Sequence, residues 1–159
     1  MVNNMQKNEQ HINKMMIAFY QRPYSSDSIE KIKRLLEEKR PEELLLLTIA
    51  ERKKSSGTVD SYLGRKDVER LKHQYETDQE IRSTSYAEKI LEISERKNIT
   101  TNKLVKKGNI VEVIKKEMDD YQPDIIVLNH TDKSRFDKII SGCVEDELIE
   151  RCNNNIIVV

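Results

Sequence analysis

The groups best placed to do chemistry lie close together, in the loop from Asn129 to Cys143. Lys133, Arg135 and Lys138 precede Gly142 and Cys143, where a helix is expected to begin. Cations beside a helix N-terminus attract phosphate, because the unpaired backbone N–H groups and the helix dipole both favour anions. Asp132 and Asp137 oppose that attraction. A phosphate cradle also needs the backbone to approach its ligand closely, which glycine permits, and neither Asn129 nor Asp132 is glycine. A solvated loop of mixed charge is therefore the favoured reading. His130 stands at the carboxyl end of an apolar run, where it either contacts a ligand or sits in water. Cys143 would occupy a first helical turn, which lowers thiol pKa; the preferred alternative is a small side chain packed beneath the loop. The sequence contains no Gly-x-Ser-x-Gly elbow, no Walker loop and no His-Glu-x-x-His pair, so no catalytic constellation is assigned.

Such a loop needs strands and helices to hold it. Ile125 to Leu128, preceded by Pro123 and Asp124, is a continuous apolar run of the kind found in a parallel strand covered on both faces. Met15 to Tyr20 and Leu44 to Ala50 are further buried strands, Ile99 to Val105 is a weaker one, and Ile156 to Val159 closes the chain on four apolar residues. Termini are seldom apolar unless a sheet holds them. Between these runs, Ser25, Ser26 and Asp27 offer caps for a helix over Ser26 to Lys39, ended by Pro41, and Asn109 caps a helix that runs up to Pro123. From Asp67 to Lys97 two amphipathic stripes, Val68, Leu71 and Tyr75, then Tyr86, Ile90 and Ile93, predict one long helix or two abutting ones. A short acidic helix precedes the last strand. The alternation predicts a five-stranded parallel α/β domain over 15–159, with a polar, disordered lead-in over 1–14.

Asp124 to Val159 resembles the closing segment of the universal stress protein family. There an Ile-Ile-Val-Leu/Met strand runs into a Gly-x2-Gly-x9-Gly-Ser/Thr phosphate loop, a helix and a final apolar strand. With Gly142 as the third glycine, Asp132 takes the place of the second, Asn129 that of the first, and Cys143 that of the Ser/Thr. In that family an Asp ending the first strand contacts the adenine of ATP; Tyr20 holds the matching position here. The resemblance implies a Rossmann-like sheet of the adenine nucleotide alpha hydrolase type, in strand order 3-2-1-4-5, with helices on both faces. It implies a ligand cleft at Tyr20, Asn129, His130, Asp132, Lys133, Gly142 and Cys143, with the ATP-binding motif degenerate. It also implies a homodimer formed through Ile156, Ile157, Val158 and Val159. The expected function is a non-enzymatic stress-response role through dimerisation and protein partners, without a cofactor. The alternative is an ATP- or AMP-binding module, or slow ATPase, that uses Mg-ATP.

The chain of 159 residues carries 28 Lys and Arg against 28 Asp and Glu, a balance that argues against nucleic acid as a partner. The longest apolar run falls well short of the ~20 residues of a membrane span, and the N-terminus has no signal-peptide apolar stretch, so a cytoplasmic protein is expected. Cys143 and Cys152 match no metal-ligand spacing and lie too far apart along one helix for a disulfide; no metal is expected and both are read as reduced thiols.

Overall fold

The computed structural model describes residues 11–20, 25–51, 70, 85–129 and 144–159. The strands are β1 (Lys14–Phe19), β2 (Glu43–Glu51), β3 (Thr100–Gly108), β4 (Ile125–Leu128) and β5 (Asn155–Val158). The helices are α1 (Ser26–Lys39), α2 (85–96), α3 (Ile110–Tyr121) and α4 (Val144–Arg151). All pairings are parallel, in the order β3-β2-β1-β4-β5, as the family resemblance implied.

Side chains alternate across the sheet, and each face is apolar. Met15, Ile17, Phe19, Leu44, Leu46 and Val127 pack with Ile32 and Leu36 of α1 and with Ala87 and Ile90 of α2. Met16, Ala18, Tyr20, Leu45, Leu47, Ile126 and Leu128 pack with Ile110, Ile114 and Met118 of α3 and with Leu148 of α4. A sheet buried on both faces needs apolar residues at consecutive positions, which is why β1, β2 and β4 read as unbroken runs.

Local chemistry ends the helices where the sequence indicated. The Ser25 hydroxyl accepts the Ser28 N–H at 3.0 Å, and Arg40, at φ 44°, closes α1 by donating its N–H to the Leu36 carbonyl. In α3 the Asn109 side chain accepts from the Glu112 N–H at 3.1 Å, and Gln122, at φ 52°, returns its N–H to Met118 before Pro123. Gly108 turns β3 into α3 at φ 151°, and a Cβ there would meet Val113 at 3.3 Å, so a side chain would be strained and crowded.

The boundaries differ from expectation in three places. Residues 1–10 of the expected lead-in lie outside the described residues, while His11 to Lys14 are placed: Ile12 is buried in the core and Lys14 already belongs to β1. β3 extends through Lys106, Lys107 and Gly108, because it is an edge strand whose lysines reach the rim; Lys106 pairs with Glu117 at 3.7 Å and Lys103 with Glu88. The helical stripe of Tyr86, Ala87, Ile90, Leu91 and Ile93 packs on the core as α2, whereas 52–69 and 71–84 lie outside the described residues.

One fastening was invisible in the sequence. An Asp124 carboxylate oxygen accepts the N–H groups of Asn13 and Lys14, each at 2.9 Å, while the Asp124 N–H donates to the Lys14 carbonyl at 2.8 Å. The start of β4 is thereby tied to the start of β1. Nearby, the Tyr121 hydroxyl is buried with no hydrogen-bond partner, and the Lys14 ammonium lies 5.2 Å from the centre of its ring. Burial, helped by the charges of Glu43 and Asp124, pushes this phenol up to about 12. Below pH ~10 tyrosine is neutral in both the folded and unfolded chain. As pH rises from there to about 12 the unfolded chain loses its Tyr121 proton first, so stability falls across that window. Tyr121→Phe should lose less stability than the parent between pH 9 and 11, measured by urea midpoints. Equal losses would show that the buried phenol does not contribute.

Candidate functional site

β2 lies on one side of β1 and β4 on the other, so the strand order reverses between β1 and β4. In open α/β sheets that reversal leaves a crevice beyond the carboxyl ends of the two strands, where ligands bind. Tyr20 is the first residue past β1 and Asn129 the first past β4. The register of Met15 with Ile125 and Ile17 with Val127 brings the two ends side by side.

Tyr20, one of the expected cleft residues, is buried at the end of β1. Its side chain is 1% exposed, among the largest fully buried in the protein, and belongs to the core cluster of Ala18, Leu128 and Leu148. Its hydroxyl donates to the backbone carbonyl of Asn129 at 3.1 Å, across 109 positions of sequence. Position 20 follows the parity of Met16 and Ala18, so a side chain there points under the α3 and α4 layer. The phenol is held at the ends of β1 and β4, and its polar atom is turned to the protein's own backbone.

The helix after β4 opens on acidic residues. The first turn of α4 carries Glu145, Asp146 and Glu147, and Glu145 is buried. Carboxylates at a helix N-terminus satisfy its positive end from within the chain and repel a phosphate that would otherwise settle there. Sequence reading saw an acidic helix but not this burial; three consecutive acids opening a helix after a loop were the available signal. Of the expected cleft residues, Tyr20 and Asn129 are brought together. His130, Asp132, Lys133, Gly142 and Cys143 lie outside the described residues. Cys152 is a free thiol, half-buried against the α3 and α4 side of the core.

At the opposite end of the sheet a cavity of about 460 Å³ lies between the C-terminal ends of α1 and α2, lined by Leu36, Glu37, Arg40, Glu42, Lys97 and Ile99 among others. Its carboxylates already have partners in the chain. Lys97 donates to Glu37 at 3.1 Å, a bond that, with the Lys97 charge, holds the Glu37 carboxyl below the usual range, and His11 meets Glu42 at 2.9 Å. Among the described residues no group of three or more His, Cys, Asp or Glu is placed to hold a metal, and no helix is long and apolar enough to cross a membrane.

The β5 edge presents the expected interface residues. Ile156 and Ile157 are half-buried on opposite faces of the sheet, Val159 donates its N–H to Leu128 at 2.9 Å, and Val158 is 38% exposed. Exposed Ile149 lies on α4, the helix leading into this strand.

Comparison with known proteins agrees with this layout. Residues 11–159 match the model of the Universal stress protein family. Among solved structures, the universal stress protein UspA from Lactobacillus plantarum is similar with a TM-score of 0.65 at 10% identity, over 94% of this chain and 98% of that one. A universal stress protein in complex with cAMP gives a TM-score of 0.60 at 11% identity, over 94% and 97% of the two chains. A universal stress protein family protein from Arabidopsis thaliana with AMP bound gives 0.54 at 17% identity, over 92% and 90%. No curated protein matches the sequence. The family match runs from His11 to the final residue and the sheet has the strand order expected of such a protein, so the chain belongs to the universal stress protein family.

Proposed function

We propose that this is a non-enzymatic, cytoplasmic universal stress protein that acts as a homodimer through protein partners and holds no ATP in the family's usual mode. The observation that carries the reading is the Tyr20 hydroxyl bonded to the Asn129 carbonyl inside the switch-point crevice. An adenine held at the end of β1 needs an acidic acceptor and room for its ring; Tyr20 supplies a buried phenol instead. Phosphates need close backbone and a positive helix end, whereas Asn129 and Asp132 stand where glycines would and Glu145 to Glu147 open α4. Two like charges about 4 Å apart cost on the order of 4 kcal/mol at an effective dielectric near 20, and a third of that is tenfold in affinity.

Dimerisation is favoured by β5, an edge strand with exposed Val158 that pairs only with β4 among the described residues. Pairing with a symmetry mate would satisfy that edge and cover its apolar side chains. The zero formal charge supports a protein partner over nucleic acid. A second reading, a nucleotide-binding module or slow ATPase using Mg-ATP, is favoured by the two neighbours that hold cAMP and AMP. Sedimentation of the intact protein across concentrations, with and without Mg-ATP, tests the proposal. A dimer whose mass and affinity ignore the nucleotide is expected; a monomer at high concentration, or a nucleotide-dependent mass, contradicts it.

A further inference from the structure

The cavity of about 460 Å³ sits where α1 turns into β2 and α2 into β3, and all of its lining residues are among those described. Two short loops contribute to its walls, Arg40 to Glu42 and Lys97 to Ile99. They are fastened to each other at Thr100, whose N–H donates to the Glu42 carbonyl at 3.2 Å. The backbone donors of these loops are spent inside the chain: Arg40 gives its N–H to Leu36, Asn98 to Glu95, Ile99 to Ser94 and Glu42 to Asn13. Recognition of a ligand there falls to side chains. The buried lining residues, Leu36, Pro41 and Ile99, are apolar, and those nearer solvent are charged or polar.

The charges in this lining do not cancel one for one. Glu37 is paired with Lys97 at 3.1 Å and Glu42 with His11 at 2.9 Å. Arg40, whose Nε donates to the Glu37 carbonyl at 3.3 Å, is in no ion pair among the described residues. We propose that the cavity is a binding site for a small monocarboxylate with an apolar body, its carboxylate on the Arg40 guanidinium and its body on Leu36, Pro41 and Ile99. A guanidinium offers parallel N–H donors that match the two oxygens of a carboxylate, and the terminal nitrogens of Arg40 remain for that contact. Glu37 and Glu42 limit the ligand to one negative charge: a second would be repelled by them or be buried unpaired against the apolar residues. The volume lies within the roughly 300–1,000 Å³ of small-molecule sites. This site is separate from both the β1 and β4 carboxyl ends and the β5 edge, so nucleotide binding and dimerisation do not bear on it.

Hexanoate titrated into the full-length, isotope-labelled protein at fixed pH and salt, followed by the backbone amide signals in NMR, tests the site. Saturable shifts centred on Arg40, Glu42, Asn98 and Ile99 are expected, with a dissociation constant on the order of 1 mM for so small a ligand. Hexylamine carries the same body with the opposite charge, and adipate adds a second carboxylate at the far end of an equally long chain. Each should bind about tenfold more weakly than hexanoate. Arg40 closes α1 at φ 44°, a left-handed position that glycine fills readily, so Arg40→Gly should keep the parent's melting temperature or raise it while weakening hexanoate about tenfold. Arg40→Asn, also suited to that cap, is read in the same way if the glycine variant does not fold. No saturable shift at these residues, or shifts scattered evenly over the surface, would overturn the site. Hexylamine bound as tightly as hexanoate, or undiminished hexanoate binding by a folded Arg40 variant, would overturn the role of the guanidinium. Adipate bound as tightly as hexanoate would overturn the limit to one charge.

Discussion

Ile126→Asp should leave the protein unfolded under conditions in which the parent is folded. Ile126 is fully buried on β4, aligned with Met16 of β1 on one side and Ile156 of β5 on the other. Losing the isoleucine forfeits about 1.5–3 kcal/mol of burial before any cavity term is added. The aspartate then has no side-chain partner among the aliphatic residues of its cluster, and burying an unpaired carboxylate costs more than the rest of the substitution. Against a total stability on the order of 5–15 kcal/mol the sum is decisive. Circular dichroism and a urea titration read the result. A variant with the parent's denaturant midpoint would mean that β4 is not central.

Deleting Ile156 to Val159 should have the second-largest effect, on assembly and stability together. Ile156, Ile157 and Val158 align with Ile126, Val127 and Leu128, and Ile156 packs on the α3 and α4 side while Ile157 and Val159 pack on the other. The half-buried apolar side chains are worth about 1 kcal/mol each, and every ladder hydrogen bond lost with the strand adds about 1 kcal/mol, for a cost on the order of 5 kcal/mol. β4 would become the sheet edge, and its four residues are all buried and apolar. Such an edge recruits other chains indiscriminately. Sedimentation of the truncated protein should therefore show monomers or aggregate in place of a defined dimer. A truncated protein that still sediments as the dimer would place the interface elsewhere.

Much of this architecture was legible because its causes are local. The run Ile125 to Leu128 and the caps at Ser25 and Asn109 announce themselves through residue type and spacing, and α1 and α3 lie where those signals put them. β3 runs past the β-branched stretch that ends at Val105 and takes in Lys106 and Lys107, since on an edge strand such side chains reach the rim. What escaped reading depends on long-range contact. Asp124 serves backbone groups 110 and 111 positions away, and Tyr20 reaches a main-chain carbonyl 109 positions away, which no side-chain motif encodes. Tyr20 was recognisable as the wrong residue for an adenine contact, but whether the phenol pointed into solvent or into the core was a matter of strand parity and of the α4 layer above it. The burial of Glu145 escaped for the same reason.

The proposal that the chain holds no ATP in the family's usual mode is tested most directly by calorimetric titration of Mg-ATP into the intact protein, freed of any carried-over nucleotide. With Tyr20 seated on Asn129 and the first turn of α4 already acidic, no heat of binding is expected at micromolar concentrations. Saturable binding of Mg-ATP in the micromolar range would contradict the account and make the nucleotide-binding module the better reading.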